Sequence, residues 1–283
     1  MKTVIPAAGY GTRMLPAAKA VPKELLPVLA KPVIQYVVEE SLAAGIHDIL
    51  LVTSREKRAI EDHFDHSPDL EARLAATGKL HLLASLTSLR DCLRLHTVRQ
   101  TQPLGLGHAV LQARDHVGNS PFLCLLGDTL FTGDPKPAAQ LLAARDALGT
   151  DCCVIGLERV PRDRVSKYGV IGGEEVSPGI HRVRRLVEKP SPASAPSDLA
   201  VAARYLLLPA VFDVLSKLPP GAGGEIQLTD ALNILAQSTE VFGVVITSRR
   251  HDIGSPEGWL ATNLRLARED PALWQIVRDI VAE

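Results

Sequence analysis

The sequence predicts an α/β fold in which helices flank a central, mostly parallel sheet. Short apolar runs typical of buried strands alternate along the chain with segments whose apolar residues recur at helical spacing. Two of these runs, 48–53 (DILLVT) and 121–126 (PFLCLL), are almost continuously apolar, as strands buried on both faces of a parallel sheet are. With 283 residues, of which 46% are hydrophobic, the chain can bury the core of one large domain.

The composition argues against nucleic-acid and membrane partners. The net charge is −1, whereas nucleic-acid-binding surfaces carry a basic excess, so an anionic ligand must meet local positive groups. No apolar run is long enough to span a membrane, and no signal peptide precedes the first strand. The cysteines, at positions 92, 124, 152 and 153, lack the spacing of a metal site. We therefore expect a cytoplasmic protein in a reducing compartment.

The first strand, 3–5, ends in a turn that is suited to phosphate. The turn, 7–13 (AAGYGTR), contains Gly9 and Gly11, which permit positive φ angles and leave backbone N–H groups uncovered by side chains. Such a concave set of N–H groups binds anions, and Arg13 and Lys23 add positive charge beside it. The pattern predicts a phosphate-binding loop.

This loop differs from the two common phosphate-binding motifs. A P-loop requires Gly-Lys followed by Ser or Thr, which the segment lacks, and the dinucleotide motif requires glycine where Met14 stands. Prolines at 16, 22 and 27 prevent a helix from following directly. We therefore expect an extended loop, long enough to wrap around a triphosphate.

Up to residue 150 the chain then alternates between helix and strand. Gly45 is expected to end the first helix, since glycine is favoured just after a helix. The predicted order is helix 31–44, strand 48–53, helix 55–64, an irregular segment 67–95 with helical patches at 69–76 and 85–93, strand 97–100, a helix ending at 114, strand 121–126 and helix 136–148.

A second glycine turn follows the strand that ends at Gln100. Its Gly105-Leu106-Gly107 run leads into a helix, and the ends of parallel strands meet at one edge of a sheet. The Gln100 amide can offer a donor and an acceptor together, as the edge of a pyrimidine base requires; the alternative is a solvated strand terminus. His108, at the start of the helix, is expected to serve as a structural hydrogen-bonding residue.

Asp128 is the candidate metal ligand. It follows Gly127 at the end of a buried strand, which is where magnesium-binding aspartates commonly lie. The alternative is an aspartate that caps the next turn. Because three strand ends converge on this edge of the sheet, the sequence favours the metal site.

The second half of the chain carries a pair of residues suited to a sugar phosphate. Glu188 and Lys189 end a predicted strand, 183–189, which follows a shorter one at 167–171. A carboxylate can accept from two vicinal hydroxyl groups and a lysine can hold a phosphate, although an exposed ion pair is the alternative. Later elements are expected in the order strand 199–208, helix 209–218, a helix opening at 225, strand 241–247 and C-terminal helices that contain Trp259 and Trp274.

The chain resembles the sugar nucleotidyltransferases, also called sugar-nucleotide pyrophosphorylases, in two long runs, GTRMLPAAKAVPKE at 11–24 and KPVIQYVVEE at 31–40. It is most similar to their bacterial uridylyltransferase branch, which joins UTP to glucose 1-phosphate. The resemblance implies a Rossmann-like nucleotidyltransferase (GT-A-like) fold, with a mixed, mostly parallel sheet and a smaller sugar-binding sub-sheet. It also implies one domain, 1–283, divided into a nucleotide-binding half (1–150), a sugar-phosphate-binding half (151–254) and C-terminal helices (255–283).

The resemblance assigns roles residue by residue. Catalytic roles fall to Arg13, Lys23 and Lys189, and Mg²⁺ would be held by Asp128 and by Asp252 in a D-x-G turn. The remaining expected contacts are Ala8, Gly9, Gly11, Thr12, Gln100 and Gly105 to the nucleotide, and Gly169, Glu188 and Lys189 to the sugar phosphate. The chain departs from the family at Thr129, where many uridylyltransferases carry a second aspartate, so the role of this position is open.

The expected activity is magnesium-dependent transfer of uridylyl from UTP to glucose 1-phosphate, without a covalent intermediate, by a homo-oligomer. A thymidylyltransferase would share these motifs but lack the 67–95 segment, which in the family is an insertion of the uridylyltransferases. A nucleotide-sugar sensor without catalytic activity would have lost Asp128 and Asp252, and both are present.

Overall fold

The molecule is built on a nine-stranded mixed sheet with helices on both faces. A computed structural model of the chain describes residues 1–149 and 151–283 and, for Ala222, only the backbone. The strands are β1 (Lys2–Pro6), β2 (Pro27–Val28), β3 (Lys31–Pro32), β4 (Asp48–Thr53), β5 (Arg94–Arg99), β6 (Phe122–Leu125), β7 (Thr129–Thr132), β8 (Cys153–Arg159), β9 (Gly169–Ser177), β10 (Ile180–Glu188), β11 (Leu199–Leu207), β12 (Val241–Val245) and β13 (Arg249–Asp252).

The helices lie mainly between these strands, as the alternating pattern predicts. They are α1 (Val33–Ala43), α2 (Arg58–Phe64), α3 (Pro68–Ala76), α4 (Leu80–Cys92), α5 (Leu106–Leu111), α6 (Arg114–Val117), α7 (Pro137–Leu148), α8 (Ala210–Leu215), α9 (Leu228–Leu235), α10 (Pro256–Ala267) and α11 (Pro271–Ala282). None of the helices among the described residues combines the length and the apolar character that a membrane span requires.

The strand order of the sheet is β5-β4-β1-β6-β11-β8-β12-β10-β9. The first four strands are mutually parallel, and β8 and β12 are also parallel. Strand β11 enters between β6 and β8 antiparallel to both, and β9, β10 and β12 form antiparallel pairs. The predicted α/β class and mixed sheet are confirmed, with more antiparallel pairing than the apolar runs of the first half suggest.

The second half of the chain continues the central sheet instead of forming a separate one. Ala200 of β11 pairs with Val170 of β9, so the strands from β11 to β9 curl back on themselves. The expected smaller sub-sheet is therefore this curled part of the main sheet. The predicted boundary between the halves falls at residue 150, which lies outside the described residues.

The apolar faces of the helices form two layers around the sheet. Helices α1, α2 and α7 cover one face, burying Ile34, Val37, Ile60 and Leu141. Helices α5, α8 and α9 cover the other, where Phe212 stacks on Phe122 of β6 at 5.2 Å between ring centroids. Burying such side chains is the main driving force for this arrangement.

Two segments differ from the sequence-based expectation. The loop after β1 contains three short 3₁₀ turns, 12–14, 17–19 and 23–25, where an extended chain was expected, because its prolines exclude long helices but permit single turns. In the segment 67–95, α3 matches the predicted helical patch at 69–76, whereas α4 begins at Leu80, earlier than the patch predicted at 85–93, so the segment is more helical than predicted. Several leucines of these helices are exposed, including Leu80 and Leu86, so the apolar pattern there is weak.

A fully buried arginine, Arg204, joins the two halves of the fold. Its Nε and Nη2 donate to the Glu40 carboxylate of α1 at 3.0 and 2.8 Å, and Nη2 also donates to the carbonyl of Thr129 at 2.8 Å. A bulge in β11, with Ala203 at φ +59°, interrupts the pairing with β8 just before Arg204. Bulges re-aim side chains, and this one lies at the arginine that reaches α1.

We expect replacement of Arg204 by methionine to lower the free energy of unfolding by about 3–5 kcal/mol, because the Glu40 carboxylate would remain buried without its partner. Urea denaturation followed by circular dichroism measures the change. The matched control is Arg159→Met, which removes an exposed pair with Asp198 at 3.0 Å and should cost about 1 kcal/mol or less. Equal losses in the two variants would contradict a structural role for the buried pair.

Candidate active site

A deep cleft opens where the parallel strands end. It consists of two adjoining cavities of about 1010 and 430 Å³. The walls shared by both are Leu106, Leu126, Asp128, Glu225 and Gln227. The smaller cavity reaches the glycine turn after β1 and Gln100, and the larger reaches the ends of β9, β10 and β13. This is the edge of an α/β sheet at which ligands bind.

The phosphate-binding loop folds back on itself through Gly11 and Lys23. Gly11 has φ +67°, and a Cβ atom there would lie 3.2 Å from the Lys23 side chain, so the position favours glycine on both counts. Ala8, Gly9 and Lys23 line the smaller cavity, and Thr12 and Arg13 line the larger. Gly11 does not line the cleft; it shapes the turn that presents its neighbours.

Lys23 lies directly on the candidate metal ligand. Its Nζ donates to Oδ2 of Asp128 at 2.5 Å. Burial alone would raise the pKa of Asp128, but Lys23, and then Arg13, hold that pKa below its usual range. Burial likewise opposes the charge of Lys23, yet Asp128 and Glu24 raise the pKa of the lysine overall. Both groups are therefore charged at neutral pH.

A second buried ion pair, between Lys57 and Glu24, supports the turn that contains Lys23. Lys57 donates to both oxygens of Glu24 at 2.8 and 2.7 Å, and both residues are nearly inaccessible to solvent. Burial raises the pKa of Glu24 and lowers that of Lys57. The charge of each residue partly offsets the pKa shift of its partner. The pair fixes the turn that contains Lys23 to the segment after β4.

The two candidate metal ligands lie at adjacent strand ends: Asp128 directly precedes β7, and Asp252 ends β13. Asp252 pairs with Thr129 in the β13–β7 ladder, and Ile253 donates its N–H to the carbonyl of Asp128 at 3.4 Å. Oδ1 of Asp252 accepts from Gly254 N at 2.9 Å, and both aspartates line the larger cavity. Carboxylate oxygens are the ligands that Mg²⁺ prefers, so this pair is chemically suited to that ion.

Gly254 brings Arg13 close to Asp252. A Cβ atom at position 254 would lie 2.8 Å from Nη2 of Arg13 and 3.0 Å from Oδ1 of Asp252. Any side chain there would displace the guanidinium. The glycine of the D-x-G turn thus leaves room for the arginine of the first loop, which local sequence alone did not indicate.

Thr129 is buried and turned towards Asp128. Its Oγ1 lies 3.5 Å from Oδ1 of Asp128, the limit of a hydrogen bond, while its carbonyl accepts from Arg204. The threonine has no charge and lies 4% exposed. Its position suits a neighbour of the carboxylate better than a metal ligand.

Gln100 lies at the far end of the smaller cavity. Its Nε2 donates to the carbonyl of Gly105 at 3.0 Å and approaches Nδ1 of His108 at 3.0 Å, so the amide nitrogen is engaged within the protein. His108 also contacts Gln112 at 3.2 Å, which agrees with the structural role expected for it. These contacts leave the Gln100 carbonyl oxygen as the group to meet a ligand in the cavity.

The glycines at 105 and 107 make room for the segment that opens α9. A Cβ atom at Gly105 would lie 2.8 Å from that of Glu225, and one at Gly107 would lie 2.7 Å from the Ile226 carbonyl. Gly107 N donates to Ile226 O at 2.8 Å, and Ile226 N donates to Leu104 O at 2.7 Å. The second glycine turn is therefore a docking site for the 225–226 backbone.

The sugar-phosphate candidates meet at the start of β9 and the end of β10. Glu188 pairs with Gly169 across the strands, and its Oε2 accepts from Thr229 Oγ1 at 2.7 Å. A Cβ at Gly169 would lie 3.0 Å from that hydroxyl, so glycine permits the contact. Lys189 has φ +46° and a side chain 58% exposed, 3.5 Å from Oε1 of Glu188. Both charged groups face the larger cavity.

Several cavity residues have no distinguishing pattern in the sequence. Arg250 stacks on the ring of Tyr168 at 4.6 Å and pairs with Glu158, and Thr229 holds Glu188. Arg250 stands two residues before Asp252, and only that proximity to the D-x-G turn could have suggested it. The stacking partner lies far away in the chain, so it becomes visible only in the folded protein.

The comparisons with known proteins agree with this geometry. A family model described as nucleotidyl transferase matches residues 2–269. The UTP–glucose-1-phosphate uridylyltransferase of Streptococcus pneumoniae is 48% identical over 95% of this chain and 91% of its own length. The enzyme of the same name, YngB, from Bacillus subtilis is 44% identical over 96% and 91%.

Solved structures give the same result. A UDP-glucose pyrophosphorylase complexed with UDP-glucose has a TM-score of 0.87 and 39% identity, covering 95% of this chain and 98% of that one. The UTP-bound UGPase from Acinetobacter baumannii has a TM-score of 0.90 and 36% identity, covering 100% and 98%. With a family model that spans nearly its whole length and relatives at this level of identity, the chain belongs to the nucleotidyl transferase family.

Proposed function

We propose that this protein transfers the uridylyl group of UTP to glucose 1-phosphate, giving UDP-glucose and pyrophosphate. The observation that carries the proposal is one continuous cleft. It joins a glycine loop with Arg13 and Lys23, an aspartate pair, and the Glu188–Lys189 strand end. Relatives named for this reaction at 44–48% identity support the choice of substrates.

The reaction brings two anions together, so the residues must neutralise charge and align the substrates. An oxygen of the glucose 1-phosphate monoester attacks the α-phosphorus of UTP. The new P–O bond forms as the bond to the bridging oxygen of the β-phosphate breaks, and pyrophosphate leaves with that electron pair. The attacking phosphate is already ionised at neutral pH, so no base is needed to activate it.

Each charged side chain has a place in this scheme. Arg13 and Lys23 neutralise the triphosphate and the departing pyrophosphate, and Lys189, exposed in the cleft, holds the attacking phosphate. Glu188 accepts hydrogen bonds from sugar hydroxyls, held in place by Thr229. Ala8, Gly9, Thr12, Gln100 and Gly105 surround the nucleotide.

Asp128 and Asp252 are the residues that would hold Mg²⁺. When bound, the ion supplies positive charge to the phosphate oxygens and orders them. Lys23, whose Nζ lies 2.5 Å from Oδ2 of Asp128, keeps that carboxylate ionised, and the ion would share the carboxylate with Lys23 or displace it. We also propose that the protein assembles as a homo-oligomer.

The direct test is a turnover screen of UTP, dTTP, ATP and GTP against four sugar 1-phosphates, with pyrophosphate release as the readout. We expect UTP with glucose 1-phosphate to give the highest kcat/KM and mass spectrometry to identify UDP-glucose as the product. Release without a sugar phosphate would indicate hydrolysis instead of transfer. A higher kcat/KM with dTTP would assign the protein to the thymidylyltransferases.

We expect Glu188→Gln to raise the KM for glucose 1-phosphate by about 10- to 100-fold, because charge-assisted hydrogen bonds to the sugar would be lost. The KM for UTP should stay within about twofold, measured by steady-state kinetics with each substrate varied. Glu257→Gln is the control, since it removes a carboxylate from the same cavity without touching Thr229. An equal rise in both Michaelis constants would contradict a sugar-specific role for Glu188.

The aspartate pair predicts a graded dependence on magnesium. We expect Asp128→Asn and Asp252→Asn to lower kcat at least about 100-fold, with partial recovery at high Mg²⁺, since each removes a charged ligand. Thr129→Val, which keeps the volume and the strand propensity, should cost about tenfold or less, as for a residue that only contacts a ligand. A magnesium titration of turnover separates these cases. If Thr129→Val shifts the magnesium requirement as strongly as Asp128→Asn, the ion lies elsewhere.

A further inference from the structure

A cluster of two histidines and an aspartate lies at the opposite edge of the sheet from the cleft. It comprises Asp48 at the start of β4, His96 in β5 and His116 in α6. The parallel strands begin at this edge and end at the substrate cleft, so the reaction does not use these residues. Among the described residues, this cluster is the one group of His, Cys, Asp and Glu side chains with ligand atoms converging as a metal site requires.

One aspartate oxygen is the focus of the cluster. Oδ1 of Asp48 lies 3.0 Å from Nε2 of His116 and 3.8 Å from Nε2 of His96. All three ligand atoms lie within 4.8 Å of one another. In a tetrahedral site with bonds of about 2.0–2.1 Å, neighbouring ligand atoms are about 3.3 Å apart. The two measured separations are within about half an ångström of that value.

The ligands come from three elements that are far apart in the chain, and the fold holds them in place. Strands β4 and β5 pair in parallel, which fixes Asp48 and His96 on one face. His116 is held by Lys2 of β1, whose Nζ donates to the carbonyl oxygen of His116. The two imidazole rings pack at 4.6 Å between centroids. A small rotation of His96, half-exposed at the surface, would complete the site.

We propose that Asp48, His96 and His116 bind a divalent transition-metal ion of the Zn²⁺ class. Two imidazole nitrogens and one carboxylate favour zinc over magnesium, which prefers oxygen ligands and octahedral geometry. Three protein ligands leave a fourth position to water at the exposed side of His96. The ion links the β4–β5 edge to α6. It stabilises the folded chain because it binds the folded state preferentially.

Two cations lie beside the cluster, Lys2 and Arg94, and their positive charge would oppose the binding of a cation. Lys2 donates to the His116 carbonyl, and Arg94 is the backbone partner of Asp48 in the β4–β5 ladder. The alternative interpretation is that the cluster binds no metal and is held by hydrogen bonds, with His116 donating to Asp48. The two readings differ in what cobalt would show, because tetrahedral Co²⁺ with nitrogen ligands absorbs visible light strongly and octahedral Co²⁺ with oxygen ligands absorbs weakly.

In the experiment, the chelator-treated protein is titrated with Co²⁺ in the presence of excess Mg²⁺. The Mg²⁺ is added to occupy the proposed site at Asp128 and Asp252. We expect one Co²⁺ per chain with intense visible bands, displaced by Zn²⁺. His96→Ala and Asp48→Asn should weaken binding at least about tenfold, as expected on loss of a ligand. His81→Ala, an exposed histidine of α4, is the matched control and should bind as the unmodified protein does.

A thermal melt with and without Zn²⁺ gives a second readout. The melting temperature should rise with Zn²⁺ in the unmodified protein and in His81→Ala, and not in Asp48→Asn. Turnover at saturating Mg²⁺ should be the same in all three proteins, which shows that each is folded. Absence of the cobalt bands, or bands retained in both His96→Ala and Asp48→Asn, would overturn the proposal.

Discussion

The position of the sheet edge that lines the cleft depends on one buried guanidinium, that of Arg204. Arg204 is fully buried and its charge is matched by Glu40, and the same guanidinium also donates to the Thr129 carbonyl. Glu40 in turn accepts from the N–H of Ala138 at the start of α7. Helices α1 and α7, strand β11 and the turn after β6 are thus held by one charged group. An arginine is suited to this, since its planar fork satisfies several acceptors at once. This network therefore fixes the position of Asp128, which follows β6.

The sequence allowed the prediction of features encoded by local residue types. Glycine turns after apolar strands, prolines that exclude long helices and the Gly127–Asp128 strand end all follow from backbone sterics or burial, and Gly9, Gly105 and Asp128 line one cleft. The α/β class follows from the same apolar runs. Features that depend on distant partners were not accessible: the bulge at Ala203, the insertion of β11 between β6 and β8, and the stacking of Arg250 on Tyr168 each join residues far apart in the chain.

The cleft balances charge locally, as a chain of net charge −1 must when it meets polyanions. Three of its cations are paired with a carboxylate: Lys23 with Asp128, Lys189 with Glu188, and Arg250 with Glu158. These pairs keep the side chains ordered before any substrate arrives. In the proposed reaction, substrate phosphates would compete with the carboxylates for the same cations, and Asp128 and Asp252 would hold the divalent ion that supplies further positive charge. Preorganised charge of this kind limits reorganisation during the reaction.

The glycine turn at 105–107 links the two ends of the cleft mechanically. The turn clamps the backbone of Ile226, and three residues later Thr229 holds Glu188 at the sugar end. Under the proposed roles, the wall beside the base and the carboxylate beside the sugar therefore share one short piece of backbone. Widening the turn to admit a purine is expected to shift Thr229 as well, which would couple any redesign of nucleotide preference to sugar preference.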